Sequence, residues 1–321
     1  MKQTIFTLLL ISAIGLVSCR KNKVEPNIAQ YDATQIQNYR NANGLTNMVQ
    51  DTTGGDTSGI YYHIINPGSG PRLADTNNLS FVFSLKSFDG KYISSDTVQN
   101  HYQGYLGHIT ADALPYGLQY AILNDLKYNG GSMRLLIPSR LAYGVNGYGT
   151  GSIQNTGSRI AGNQSLDYYV HLIGGDPAVK TQAAYQADYD QQVIQSYMKA
   201  NSLTGYTQTQ STSVPGNSYF YKLTTVGTGI GNITQNTQVE VTYTGTLMDN
   251  IVFDGANIGA DSVELQVPSL IKGVQDALTH ATLGTTISMI LPSALCYGNN
   301  ATTGVPANSC LRFEFTVVGL H

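Results

Sequence analysis

The sequence predicts an α+β protein built from two copies of one unit, each a β-rich domain preceded by an amphipathic helix. Three observations carry this. The chain repeats itself at long period. Apolar and polar residues alternate in several short runs, the mark of half-buried strands. Between those runs one segment has apolar residues at helical spacing.

The leading helices come first. Tyr31, Asp32, Ile36, Gln37, Tyr39, Ala42, Asn43 and Leu45 recur in register as Tyr189, Asp190, Ile194, Gln195, Tyr197, Ala200, Asn201 and Leu203. Tyr189, Val193, Tyr197 and Ala200 fall at steps of four, four and three, which predicts one apolar face. Gly44 and Gly205 stand near the expected helix stops. The repeat continues beyond the helices. Residues 60–65 answer 219–224, 66–70 answer 225–229, and the run from Ile137 through Pro138, Ser139 and Tyr143 to Gly144 answers that from Leu291 through Pro292, Ser293 and Tyr297 to Gly298. In the second unit Val239, Val241 and Tyr243, then Val263, Leu265 and Val267, then Leu311, Phe313 and Phe315, alternate with other residues. Ile271, Val274 and Leu278 fall at three and four, a short helix. The Gly-, Ser-, Thr- and Gln-rich stretches 51–58 and 207–217 are expected as loops.

Composition limits function. Of 321 residues 12% are charged, and the formal net charge is -3. Nucleic-acid binding, which needs a basic face, is therefore not expected. Beyond the N-terminus no stretch is long and apolar enough to span a bilayer. The N-terminus itself predicts an export signal: Lys2, then an apolar run from Ile5 to Val17. It ends in Leu16-Val17-Ser18-Cys19, similar to a bacterial lipoprotein cleavage box, which implies lipid attachment at Cys19 and a mature protein anchored to a membrane without crossing it. The glycines at 227, 229 and 231 lead into a strand and not a helix, so a phosphate loop is not expected. The six His are scattered and no Gly-x-Ser-x-Gly elbow occurs, so neither a zinc site nor a serine hydrolase is expected.

The stretch from Val239 to Phe315 sets aromatic and aliphatic residues in order with the carboxylate Asp254 and with Tyr297, which stands in a Leu-Pro-Ser-Ala-Leu-Cys-Tyr-Gly motif. It resembles the FKBP-type peptidyl-prolyl cis-trans isomerases, or rotamases, over about a hundred residues and in several ordered motifs. The resemblance implies a twisted antiparallel sheet curled around a short helix, with a pocket between them. It implies Tyr243, Phe253 and Phe313 as aromatic walls, with Asp254 at the edge accepting a hydrogen bond from Tyr243 or a ligand. Tyr297 would donate its hydroxyl to a substrate carbonyl. Val263, Leu270, Ile271, Val274 and Val305 would complete the lining, the Ile271 N–H holding a second carbonyl. The family has a tryptophan on the pocket floor; this chain has no Trp, and Val274 takes that place. No cofactor and no metal is implied. The partners implied are proline-containing unfolded or extended polypeptides and a macrolide ligand. Cys296 and Cys310 are neighbours in the family fold, which leaves two readings, a disulfide or two free thiols.

The first unit departs from the pattern. Gly117, Pro138, Tyr143, Gly144, Ile160 and Tyr168 stand at matching positions, but Phe83 replaces Tyr243, and Ile93 and Ser94 replace Phe253 and Asp254. A longer Gly-rich loop spans 145–159. The expected organisation is a lipoprotein signal over 1–19, a tether and leading helix over 20–58, a degenerate first domain over 59–175, a linker and second helix over 176–217, and a catalytic second domain over 218–321. The expected location is the cell envelope, lipid-anchored, at an outer membrane facing the periplasm in preference to the cell surface.

Overall fold

The computed structural model describes residues 27–321, apart from 54, 56–57, 151–156, 158, 230, 235 and 257–261. The leader, Cys19 and most of the tether therefore lie outside the described residues. No helix among the described residues is long and apolar enough to cross a membrane.

Two seven-stranded antiparallel sheets are formed. The first contains β1 (Val49–Gln50), β2 (Tyr61–Asn66), β3 (Asn78–Ser87), β4 (Ile93–Ser94), β5 (His101–Tyr105), β6 (Ser132–Ile137) and β7 (Leu166–Ile173). The second contains β8 (Thr207–Gln210), β9 (Ser218–Thr225), β10 (Gln238–Leu247), β11 (Val252–Ala256), β12 (Val263–Gln266), β13 (Thr286–Leu291) and β14 (Leu311–Leu320). The first runs β1-β2-β6-β7-β3-β4 with β5 also on β3; the second runs β8-β9-β13-β14-β10-β11 with β12 also on β10. The two orders are the same once seven is added to each strand number, as the sequence repeat predicts. Thr207–Gln210, expected as loop, is an edge strand: its Gln- and Thr-rich residues carry no apolar pattern, yet their backbone completes a ladder with β9.

Strand alternation is visible where one face is buried. In β14, Leu311, Phe313, Phe315 and Val317 point into the core. The predicted Val263-Leu265-Val267 run ends at Gln266, because Val267 and Pro268 open a short 3-10 turn. Proline's fixed φ and missing N–H suit that turn better than a ladder position.

Each sheet covers one short helix, α2 (Tyr116–Ala121) in the first and α4 (Lys272–Leu278) in the second. α2 continues into a π-helical turn, Ile122–Leu126, that ends with Lys127 at φ 71. Leu118 and Ile122 sit in a core with Phe81, Leu135 and Tyr168. Val274 and Leu278 sit in one with Val241, Met289 and Phe313.

The leading helices are α1 (Ile28–Ala42) and α3 (Gln182–Ala200). Each begins with a side-chain cap: Asn27 accepts from Gln30 N at 2.9 Å, and Thr181 accepts from Ala184 N at 3.3 Å. Such caps satisfy otherwise orphaned amides of the first turn. The buried face of α3 is Gln186, Asp190, Ile194 and Tyr197; of the predicted stripe Tyr197 lies on it, Tyr189 and Val193 are half-buried beside it and Ala200 is exposed. Two of these four are polar, so hydrophobic periodicity cannot register them.

Their polar groups are matched. Asp190 accepts from Ser293 N at 2.8 Å and Ser293 Oγ at 2.6 Å, and from Gln186 Nε2 at 2.8 Å. Asp32 of α1 does the same work in the first unit, accepting from Ser139 Oγ at 2.6 Å and from Arg140 Nη1 at 3.1 Å. Each leading helix is thus pinned to the Pro-Ser turn of its own unit by a fully buried aspartate. α3 also reaches the first sheet, where Gln182 Nε2 donates to Ile173 O at 2.6 Å and Ser80 Oγ donates to Gln186 Oε1 at 3.1 Å.

Candidate functional site

The structure brings the sequence-predicted residues of the second unit together. Tyr243, Phe253, Val263, Leu270, Ile271 and Tyr297 are half-buried and pack on the buried Val274, Val305 and Phe313. β10 supplies Tyr243, β11 supplies Phe253 and Asp254, and β14 supplies Phe313. Ile271 caps the N-terminal end of α4. Tyr297 follows the Pro-Ser turn held by Asp190.

Phe253 meets Phe313 edge-on, with ring centroids 5.7 Å apart and planes at 81°. Gly245 makes that approach possible. A Cβ there would lie 2.7 Å from Phe313 Cε1 and 2.9 Å from Phe253 Cζ. Tyr243 stacks on Phe315 at 4.9 Å and 13°, and Phe315 tilts against Phe313 at 5.9 Å. Phe315 and Gly245 were not singled out from the sequence as site residues. Phe315 was legible as the next inward position of the same strand, and Gly245 as a glycine interrupting an alternating apolar run.

The polar groups are few and directed. The Tyr243 hydroxyl donates to Asp254 Oδ2 at 3.0 Å, and Asp254 Oδ1 accepts from Gly255 N at 2.8 Å. The carboxylate itself is exposed at the rim. Burial pushes the Tyr243 hydroxyl up to about 12, and the hydrogen bond and charge of Asp254 act in the same direction. Burial also raises the Tyr297 hydroxyl, with Asp254 next in effect. Among the described residues no acceptor takes the Tyr297 hydroxyl and none takes the Ile271 N–H. An apolar surface thus carries two free donors, one side-chain and one backbone, beside a carboxylate that already has a partner.

Cys296 and Cys310 are free thiols, so the disulfide reading is corrected. Each sulfur has a backbone carbonyl as acceptor, Leu291 O at 4.0 Å for Cys296 and Asp190 O at 3.8 Å for Cys310. Burial raises both thiols well above their ordinary value, which disfavours the nucleophilic thiolate.

The corresponding place in the first unit is built differently. Leu85 pairs with Tyr168 where Gly245 pairs with Phe313. Tyr143, the counterpart of Tyr297, donates its hydroxyl to Ala113 O at 3.1 Å. Tyr148 from the Gly-rich loop stacks on the Tyr143 ring at 4.6 Å.

Residues 231–318 match a family described as FKBP-type peptidyl-prolyl cis-trans isomerase. Among similar proteins is the FKBP-type peptidyl-prolyl cis-trans isomerase FkpA of Buchnera aphidicola subsp. Schizaphis graminum, 27% identical over 115 residues, covering 36% of this chain and 46% of that protein. The FkpA of Escherichia coli (strain K12) is 32% identical over 76 residues, covering 24% and 28%. The outer membrane protein MIP of Legionella longbeachae is 33% identical over 101 residues, covering 31% and 43%. The match spans less than half the length of each of these proteins.

Proposed function

We propose, on the premise that residues 231–318 place this chain in the FKBP-type peptidyl-prolyl cis-trans isomerase family, that its second unit accelerates cis–trans exchange at X–Pro bonds of exported polypeptides. Amide resonance sets a barrier of about 18–20 kcal/mol, and X–Pro isomers exchange in tens of seconds or longer. Twisting the amide breaks that resonance and reduces its charge separation. A water-poor aromatic surface therefore favours the twisted amide over the planar one. Phe253, Phe313 and Tyr243 supply the walls, and Val263, Leu270, Val274 and Val305 the lining. The Tyr297 hydroxyl and Ile271 N–H hold the flanking carbonyls. Asp254 orients the Tyr243 hydroxyl. No covalent step, metal or cofactor enters this scheme.

The observation that supports this most is the pair of free donors over an otherwise apolar floor. The test is the rate of cis–trans exchange in a short X–Pro peptide with the purified chain. The Phe253→Ala/Asp254→Ala double variant should return the rate to the uncatalysed value. Unchanged catalysis in that variant overturns the assignment.

A second reading is binding without turnover. The small Val274 at the floor favours it, since it grips a proline ring less than a large aromatic would. It predicts saturable binding of unfolded chains, and of a macrolide, with no rate enhancement. For the first unit, the Leu85 filling and the committed Tyr143 hydroxyl support a non-catalytic role in holding extended polypeptide. The same reading assigns residues 59–175 and 218–321 as the two FKBP-like domains and 20–58 and 176–217 as the segments leading into them.

For location we propose lipid attachment at Cys19 and an outer-membrane position facing the periplasm. The leader sequence supports this, together with the name of the outer membrane relative. Cys19→Ser should move the protein from the detergent phase to the aqueous phase. Equal partition of both forms overturns the anchor.

A further inference from the structure

Tyr297 carries the free hydroxyl of the candidate site, so its aim depends on what holds the rest of the residue. In the first unit the counterpart ring is held by its own surroundings. Tyr143 donates to Ala113 O at 3.1 Å and stacks on Tyr148 at 4.6 Å. Among the described residues no ring stacks on Tyr297 and no acceptor takes its hydroxyl. Its placement rests on packing and on its backbone.

That backbone is held from two sides. Gly298 N–H donates to Ser293 O at 2.9 Å, and Asn308 N–H donates to Gly298 O at 2.8 Å. Asn308 has φ 55, a left-handed conformation that asparagine tolerates better than most residues. It is 7% exposed, so its side-chain amide needs partners. Both partners belong to the first unit. Asn308 Nδ2 donates to Gln103 Oε1 at 2.9 Å and to Ser80 Oγ at 3.4 Å. Gln103 on β5 and Ser80 on β3 stand opposite each other in the ladder, which puts their side chains on one face. Gln103 Nε2 donates to Asn78 Oδ1, leaving Oε1 for Asn308. Two further contacts seat the same edge of the first unit on the second. Val98 packs on the second core, and Gln99 Nε2 donates to Asp249 Oδ2 at 2.9 Å.

The same turn occurs in the first unit without a neighbour. Asn163 stands three residues before β7, as Asn308 stands three before β14. It has φ 59, and its N–H donates to Gly144 O at 2.8 Å. Its Oδ1 is buried with no partner among the described residues. The turn is therefore local, and the hydrogen bond across the units is an addition to it.

We propose that Gln103 of the first unit is a positioning residue for the second unit's site: by holding Asn308 it fixes Gly298, and so aims the Tyr297 hydroxyl at the substrate carbonyl. This rests on the isomerase reading above. The first unit then serves catalysis through the frame of its neighbour's site, without touching the bond that turns.

The test is X–Pro exchange catalysed by the full chain, with a melt of each form to show that it is folded. Gln103→Met removes the acceptor at similar length. It should lower kcat/KM by about fivefold, a part of what the Tyr297 hydrogen bond contributes. Gln103→Glu keeps an acceptor at the same reach and should restore kcat/KM to within about twofold of wild type. In a Tyr297→Phe chain, Gln103→Met should cost nothing further, because the group it aims is absent. Wild-type rates in Gln103→Met overturn the proposal. The same loss repeated in full in the Tyr297→Phe chain also overturns it, since that marks a general loosening of the second unit. An equal loss in Gln103→Glu does so too. A wild-type chain with no rate enhancement overturns the isomerase reading itself, and this inference with it.

Discussion

Where the second unit has Gly245 between two aromatic rings, the first has Leu85, and the side chains around that position differ accordingly. In the second, Phe253 and Phe313 approach edge to face over the missing Cβ, and the Tyr297 hydroxyl is left free. In the first, the buried Leu85 stands at the position of Gly245, Ile93 and Ser94 stand for Phe253 and Asp254, and Tyr143 has given its hydroxyl to Ala113 O. Strand order is the same in both, and Leu85 pairs with Tyr168 as Gly245 pairs with Phe313. Topology alone therefore does not distinguish the two units. A glycine, a carboxylate and one uncommitted hydroxyl do.

The strongest way to break this contrast is to build the first unit's filling into the second. Gly245→Leu places side-chain atoms where even a Cβ would stand 2.7 Å from Phe313. Overpacking of this kind costs about 1–3 kcal/mol of stability. Prolyl isomerisation should fall by about two orders of magnitude, on the order of 3 kcal/mol in the barrier. Peptide kinetics and a melt of the same preparation check both parts. Retained catalysis would mean that the gap between the rings is not where proline sits.

A second contrast lies beneath the sites. Asp32 has the Arg140 guanidinium beside it; Asp190 has Ala294 at the equivalent place. Burial pushes the Asp190 carboxyl up to about 6 despite its hydrogen bonds from Ser293 and Gln186. The folded chain thus holds this proton more tightly than the unfolded chain. The resulting stabilisation is present in full below pH ~4, the unfolded aspartate range, and is lost as the pH rises through about 6. Asp190→Asn removes that dependence. The wild-type stability, measured relative to the variant by urea unfolding, should increase between pH ~7 and ~4 by on the order of 2–3 kcal/mol. A constant difference across that range would show that Asp190 stays charged throughout.

The smallest effects come from the matched tyrosines. Tyr297→Phe should slow isomerisation by about tenfold, the worth of one hydrogen bond to a substrate carbonyl, and leave the melt unchanged. Tyr143→Phe should do the reverse, lowering stability by about 1 kcal/mol with catalysis untouched. If the two variants behave alike, the distinction between the free and committed hydroxyl has no functional content.

Much of this was legible in the sequence, and the part that was not has a common cause. The repeat, the period-two strands and the short helix at Val274 and Leu278 follow from apolar spacing, which is set by what must be buried. The aromatic set and the Tyr243–Asp254 pair follow from motif order. The face of α3 is legible only in part: Tyr197 lies on it as expected, whereas Gln186 and Asp190, both buried, carry no apolar signal. The clue present was relational: an aspartate repeated in both helices, and a Pro-Ser turn repeated in both domains. The strand Thr207–Gln210 was missed because an edge ladder needs only backbone. The cysteine pairing stayed open because proximity in a fold does not fix sulfur geometry.

Helix α3 touches both sheets, through Gln182 and Gln186 on one side and Ser293, Phe220 and Ile290 on the other. Asn308 adds a direct tie to Gln103 at 2.9 Å. Loosening either half strips cover from the segment the other half relies on. Denaturation of the pair is therefore expected as a single concerted event, with damage to one half felt by the other.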